Sequence, residues 1–289
     1  MKNYLLVLTI FISSFISAQE SKTDKKSLLW EISGNGLEQS SYIFGTIHLI
    51  PEGDYFFPDK MSAILDKCKV LALEIDMNIP ILTQVNLVKK MIFPEGKSLQ
   101  DYLTEEDYSN YTEYILDSLK IKKSKLNQII KLRPIFAGSV ILSELLPKTK
   151  TYEIEFSKIA KKSGMDVVGL ETIEYQMNIM NNISIEKQID MMLNDGLTKN
   201  PLNEYMELVD IYKNQDIQKM LDISKEDDFM IEYEDELLIT RNKNWIPVIE
   251  KLVNKKSTFI AVGAMHLSGE FGVLNLLKAN GYIIKLVKI

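Results

Sequence analysis

The chain has 289 residues, 46% of them apolar, enough to bury a substantial core in one large domain or two small ones. Its 40 acidic residues outnumber 34 basic ones, and the net charge of −6 argues against nucleic acid or an anionic membrane surface as partner. Cys68 is the single cysteine, which excludes an intramolecular disulfide and a cysteine-rich metal site, so packing alone must hold the fold.

Residues 1–18 read as a secretory signal: Lys2 is a short basic lead, Tyr4 to Ile16 an uncharged apolar run, and Ile16-Ser17-Ala18 a small-residue cleavage site. The run is shorter than the roughly 20 residues a spanning helix needs, so no stable membrane anchor is expected after cleavage. The mature chain, residues 19–289, is then an exported single domain, periplasmic or secreted.

"SLLWEIS" reads as a strand, Gly34-Asn35-Gly36 as a turn and "SYIFGTI" as the returning strand, a hairpin over residues 28–47. "PDKMSAILDKC" sets Met61, Ile64, Leu65 and Cys68 at helical spacing behind Pro58, a helix starter. Cys68 reads as a small buried hydrophobe. "KVLALEID" is a strand of the fully buried kind.

The middle is mostly helical. Thr104 caps a helix over "TEEDYSNYTEYILDSL" with acids in its first turn. "RPIFAGSVILSELL" is a strongly apolar helix of about core-spanning length, and "EIEFSKIAKKSG" is a helix closing on glycine. "MDVVGLE" is a short buried strand and "TIEYQMNIMNN" a helix. "SIEKQIDMML", "NEYMELVDIYKN" and "DDFMIEYEDELL" continue as helices, their methionines suited to an adaptable core or a groove lining. "RNKNWIPVIEKLVNK" is a helix carrying Pro247, followed by the strand "STFIAVG", the helix "EFGVLNLLKANG" and the strand "YIIKLVKI". The pattern predicts an α/β protein with a mixed, largely parallel sheet built from both chain ends and a mostly helical middle insert.

One local frame recurs near the two ends. An apolar run followed by Gly-x-x-His-Leu holds His48 and again His266, the only two histidines. A glycine past a buried strand lets the chain turn sharply, and the carboxyl ends of strands are where α/β sheets build sites. Two strands of one sheet ending this way would bring their imidazoles together, a start for a divalent metal site. The plain alternative is a pair of hydrogen-bonded boundary residues.

The third ligand of such a site is normally a carboxylate. Glu74, in "LALEID", emerges at the sheet edge, with Asp76 on the same side; capping the next loop or pairing with an arginine would account for it equally. Glu171 repeats the pattern in "VVGLET", as ligand, supporting partner, general base or merely an acid at a helix start. Arg241, one of two arginines with Arg133, opens a helix beside Asn242. Its planar fork suits a carboxylate or a developing oxyanion, or an ion pair with Asp235 or Glu236. Glu270 is explained as well by the first turn of a helix capped by Ser268.

Taken in order, "SYIFGTIHLIP", "LALEID", "VVGLETIEYQ", "RNKNW" and "FIAVGAMHLSGEFGVLNLLKANGY" make the chain resemble the TraB/GumN family, related to the Tiki metalloproteases, from about Trp30 to Ile289. The resemblance implies a fold similar to the erythromycin-esterase and ChaN-like α/β group. It also implies a metal-dependent hydrolase of the peptidase kind, favouring manganese or cobalt over zinc. His48, Glu74 and His266 would hold the metal, with Glu171, Gln176, Arg241 and Asn242 around it and a peptide or small molecule as substrate. The other reading is a non-catalytic binding protein that sequesters a peptide, haem or other small ligand.

Overall fold

The computed structural model describes residues 26–146, 148–194 and 200–289; the expected signal segment lies outside them. In chain order the strands are β1 (Leu29–Gly34), β2 (Ser41–Thr46), β3 (Ile50–Pro51), β4 (Val70–Ile75), β5 (Thr149–Lys150), β6 (Asp166–Glu171), β7 (Thr258–Gly263) and β8 (Tyr282–Val287). The helices are α1 (Asp59–Leu65), α2 (Ile81–Met91), α3 (Glu105–Glu113), α4 (Lys123–Ile129), α5 (Pro134–Leu145), α6 (Tyr152–Ser163) and α7 (Ile173–Asn182). They continue with α8 (Ile185–Asn194), α9 (Pro201–Lys213), α10 (Ile217–Ser224), α11 (Asp228–Glu232), α12 (Thr240–Val253) and α13 (Val273–Ala279).

Six strands form one mixed sheet in the order β6-β4-β7-β2-β1-β8. The first four run parallel, while β1 is antiparallel to both β2 and β8. Both chain ends therefore build one sheet, and the mostly helical middle inserted between β4 and β7 adds the edge strand β6. Central parallel strands are covered on both faces, which is why "VLALE" and "TFIAV" are buried at every position. Phe44, Tyr152, Phe156 and Phe259 form an aromatic cluster in the main core. The insert packs a second apolar cluster of its own around Phe93, Tyr111, Ile115 and Ile129.

Two local expectations are corrected. "DDFMIEYEDELL" is not one helix: α11 stops at Glu232, and a π-helical turn over Asp235–Ile239 leads into α12. The last helix begins behind Gly272 rather than Ser268, because Gly269 sits at φ +83° and breaks any helical path through that segment. Ser268 Oγ instead donates to Gln218. Helix α5 buries only Pro134 and Ala137 fully and borders a cavity of about 260 Å³ lined also by Tyr111 and Met192. Among the described residues no helix is long and apolar enough to cross a membrane.

Candidate active site at the strand ends

The four parallel strands end side by side, and each delivers part of one cluster. Glu171 closes β6, opposite Ile75 at the end of β4, so Glu74 lies one residue inside the same edge. Thr46 closes β2 opposite Gly263, the last residue of β7. The two Gly-x-x-His segments thus leave adjacent strands at the same sheet edge.

Close approach explains both glycines. A Cβ on Gly45 would stand 3.0 Å from the Cα and Cβ of Ala264, inside the turn of the second motif. A Cβ on Gly263 would stand 3.3 Å from Glu74 Oε1. The missing side chain lets that carboxylate accept the Gly263 N–H at 2.7 Å.

Glu74 and Arg241 form the centre of the cluster, both buried. Glu74 Oε2 accepts from Arg241 Nη2 at 2.6 Å and from Gln176 Nε2 at 3.0 Å. Burial opposes the Glu74 charge, but His266, Arg241, His48 and the Gly263 N–H outweigh it and hold the carboxyl at about 2. Of these, Arg241 and the Gly263 N–H touch the carboxylate directly. Arg241 also reaches Glu171 Oε1 through Nε at 3.0 Å and Nη2 at 2.7 Å, and the Leu237 carbonyl through Nη1 at 2.9 Å. The π-helical turn before α12 supplies that carbonyl. Glu171 Oε2 takes the Trp245 indole N–H at 2.9 Å. Arg241 therefore pairs with two strand-end glutamates, not with Asp235 or Glu236.

His266 is tucked inward by the short 3₁₀ turn Ala264–His266 and lies 4.5 Å from the Trp245 ring, centroid to centroid. Asn242 Nδ2 donates to the Phe271 carbonyl at 2.9 Å, so its Oδ1 faces His266 Nδ1 at 2.7 Å as an acceptor. The proton is thus on Nδ1, and Nε2 accepts from Arg241 Nη1 at 3.1 Å. Burial first, with Arg241 adding to it, drives the imidazole down to about 3, so it is neutral at physiological pH.

His48 behaves differently. It follows buried Ile47 and stands outside the cluster, with 76% of its side chain exposed, and its Nδ1 is 3.8 Å from Glu153 Oε1. Glu153, near the start of α6, accepts from Thr46 Oγ1 at 2.6 Å through the same oxygen. Burial raises its carboxyl above the usual range, against the pull of His48 and Thr46. Helix α9 braces the loop from two points: Tyr212 donates to the Gly45 carbonyl at 2.9 Å, and Tyr205 to that of Leu49.

Glu153, Trp245, Tyr205 and Tyr212 are site residues that the sequence reading does not single out. Glu153 left the signal of an acid in the first turn of a helix, which is ordinary, and Trp245 closes the stretch "RNKNW". Conversely, Asp76 is exposed and accepts from the Asn78 N–H. Glu270 is also exposed, and Arg133 bonds Asn181 in the insert.

The donors suit a divalent ion in type. Glu74 Oε1 and His266 Nε2 are 3.9 Å apart, within the span of two donors on one ion with bonds of about 2.1 Å each. The Asn242 contact on Nδ1 is the support that a metal-binding imidazole normally has. Among the described residues, however, no three His, Cys, Asp or Glu side chains stand together as a ready metal-binding group. His48 would have to turn inward to complete one.

No curated protein and no solved structure matches the chain. The model of the TraB/PrgY/gumN family matches residues 28–286, which takes in all four strand ends and every residue of the cluster. With that match running from β1 into β8, the chain belongs to the TraB/PrgY/gumN family.

Proposed function

We propose that the chain is an exported, divalent-metal-dependent hydrolase of the peptidase kind, acting at the cluster on the strand ends. The observation that carries this reading is His266, buried, neutral, with Nδ1 held by Asn242 and Nε2 turned toward an ionised Glu74. Glu74, His266 and an inward-turned His48 would hold the ion, and their mixed nitrogen and oxygen donors accept manganese, cobalt or zinc. Bound there, such an ion supplies water activation and polarisation of a scissile carbonyl.

The chain's own residues do the rest. Arg241 presents Nη1 to developing negative charge, releasing His266 while Leu237 keeps the guanidinium in place. Glu171, with both oxygens already engaged, orients Arg241 in this proposal, although its sequence context suggested a general base. Gln176 and the Gly263 N–H fix the Glu74 carboxylate.

One observation favours the second reading, a binding protein without chemistry: Arg241 already occupies His266 Nε2 and Glu74 Oε2. A peptide-library hydrolysis screen with manganese, cobalt or zinc supplied separates the two. Turnover by wild type, absent from a folded His266→Ala variant, supports the hydrolase. Equal turnover by that variant sinks it, and ligand capture without turnover moves the assignment to binding.

A further inference from the structure

We infer that Glu153 is the positioning residue of His48, holding the first Gly-x-x-His imidazole as Asn242 holds the second. The two carboxylate oxygens of Glu153 are treated unequally. Oε1 accepts from Thr46 Oγ1 at 2.6 Å and lies 3.8 Å from His48 Nδ1. Oε2 is fully buried and has no hydrogen-bond partner. Native buried polar atoms are nearly always paired, so an orphaned acceptor on a buried acid marks a place for a donor that arrives.

His48 is the neighbour placed to supply it. Its ring stands outside the cluster, yet its Nδ1 is already the nitrogen facing the carboxylate. The backbone on both sides is braced by Tyr212 at Gly45 and Tyr205 at Leu49, so the side chain can turn without moving the loop. An inward turn lets Nδ1–H donate to Glu153 and leaves Nε2 free to face Glu74. Thr46, the second residue of the motif, gains a function too: by occupying Oε1 it leaves Oε2 as the open acceptor. The resulting carboxylate–imidazole pair is the support that metal-binding histidines generally have. The role of Glu153 in ion binding rests on the proposed function; its effect on the His48 tautomer does not.

The test uses the metal-free mature chain with ¹⁵N-labelled histidine, at a pH where both rings are neutral. There are only two imidazoles, and His266 provides an internal reference fixed by Asn242. His48 should carry its proton on Nδ1 in wild type and shift to Nε2 in Glu153→Ala. Glu153→Gln, which keeps the volume and one acceptor, should fall between them and guards against a folding failure. Manganese titration should then show a tenfold to hundredfold loss of affinity in Glu153→Ala and a smaller loss in Glu153→Gln. A His48 proton on Nε2 in wild type, or identical spectra in all three proteins, overturns the inference. If the tautomer shifts as stated while wild type binds no manganese, the positioning role stands and the proposed function falls.

Discussion

Asn242 Oδ1 lies 2.7 Å from His266 Nδ1, so one amide decides which nitrogen of a buried imidazole faces Glu74. Replacing Asn242 by alanine leaves the Nδ1–H without its acceptor. The expected cost is about 1–3 kcal/mol in urea unfolding, with a tenfold to hundredfold loss of manganese affinity. Asn242→Asp keeps an acceptor at that point and should preserve the tautomer. Equal losses in the two variants would show that the contact is only packing.

Arg241 is the cation between two buried carboxylates, 2.6 Å from Glu74 and 2.7 Å from Glu171. Arg241→Leu removes it and leaves both acids uncompensated, a loss of about 3–5 kcal/mol. Arg241→Lys keeps the charge but cannot satisfy Glu74, Glu171 and the Leu237 carbonyl together, because an ammonium lacks the planar fork. Its melting temperature should lie between wild type and the leucine variant. A lysine variant as stable as wild type would show that charge, not geometry, is what the cluster requires.

The two motif glycines should respond differently to alanine. Gly45→Ala drives a Cβ to 3.0 Å from backbone and side-chain atoms of Ala264, neither of which can swing away. A cost of about 1–3 kcal/mol is expected from thermal melts. Gly263→Ala presses on the Glu74 carboxylate at 3.3 Å. It should cost less in stability and more in ion affinity, measured by titration against wild type.

Acid should destabilise the metal-free protein in a defined window. His266 falls from 6.5 to about 3 on folding, so its contribution is whole above pH 6.5 and lost as pH drops toward 3. Glu74 falls from 4.5 to about 2, and its contribution is whole above pH 4.5 and lost toward pH 2. Glu153, raised on folding, acts in the opposite sense and recovers some stability on acidification. Urea midpoints in the presence of a chelator should therefore begin falling near pH 6.5, for a total of several kcal/mol. In His266→Asn the decline should start later, near pH 4.5; an unchanged onset would assign the acid step elsewhere.

Cys68 is buried between α1 and β4, and burial pushes its thiol up to about 11. It should resist a thiol reagent at neutral pH in the folded protein and react fully once unfolded, read by the absorbance of the released chromophore. Rapid reaction under native conditions would contradict the packing described here.

The sheet was legible because its strands carry two distinct signals: the Gly34-Asn35-Gly36 turn between the hairpin strands and unbroken apolar runs in β4 and β7. The recurring glycine frame pointed to one edge, and that edge is where the cluster lies. What sequence could not supply is which way a side chain turns. His266 and His48 share a frame, yet a 3₁₀ turn buries one while the other projects into solvent. Glu153 carries only a common helix-start signature, and its orphaned oxygen exists only in three dimensions. Helix α2 went unread although Ile81, Leu82, Val85 and Val88 stand at helical spacing; the structure buries none of its residues and leaves all four exposed.

The central claim is that Glu74, His266 and His48 hold one divalent ion at the strand ends. Calorimetric titration of manganese and cobalt into the folded, metal-free protein spanning residues 19–289 tests it most directly, beside His48→Ala and His266→Ala. The account predicts stoichiometric binding by wild type and its loss in both variants. Absence of binding by folded wild type, or binding that survives both substitutions, would contradict it.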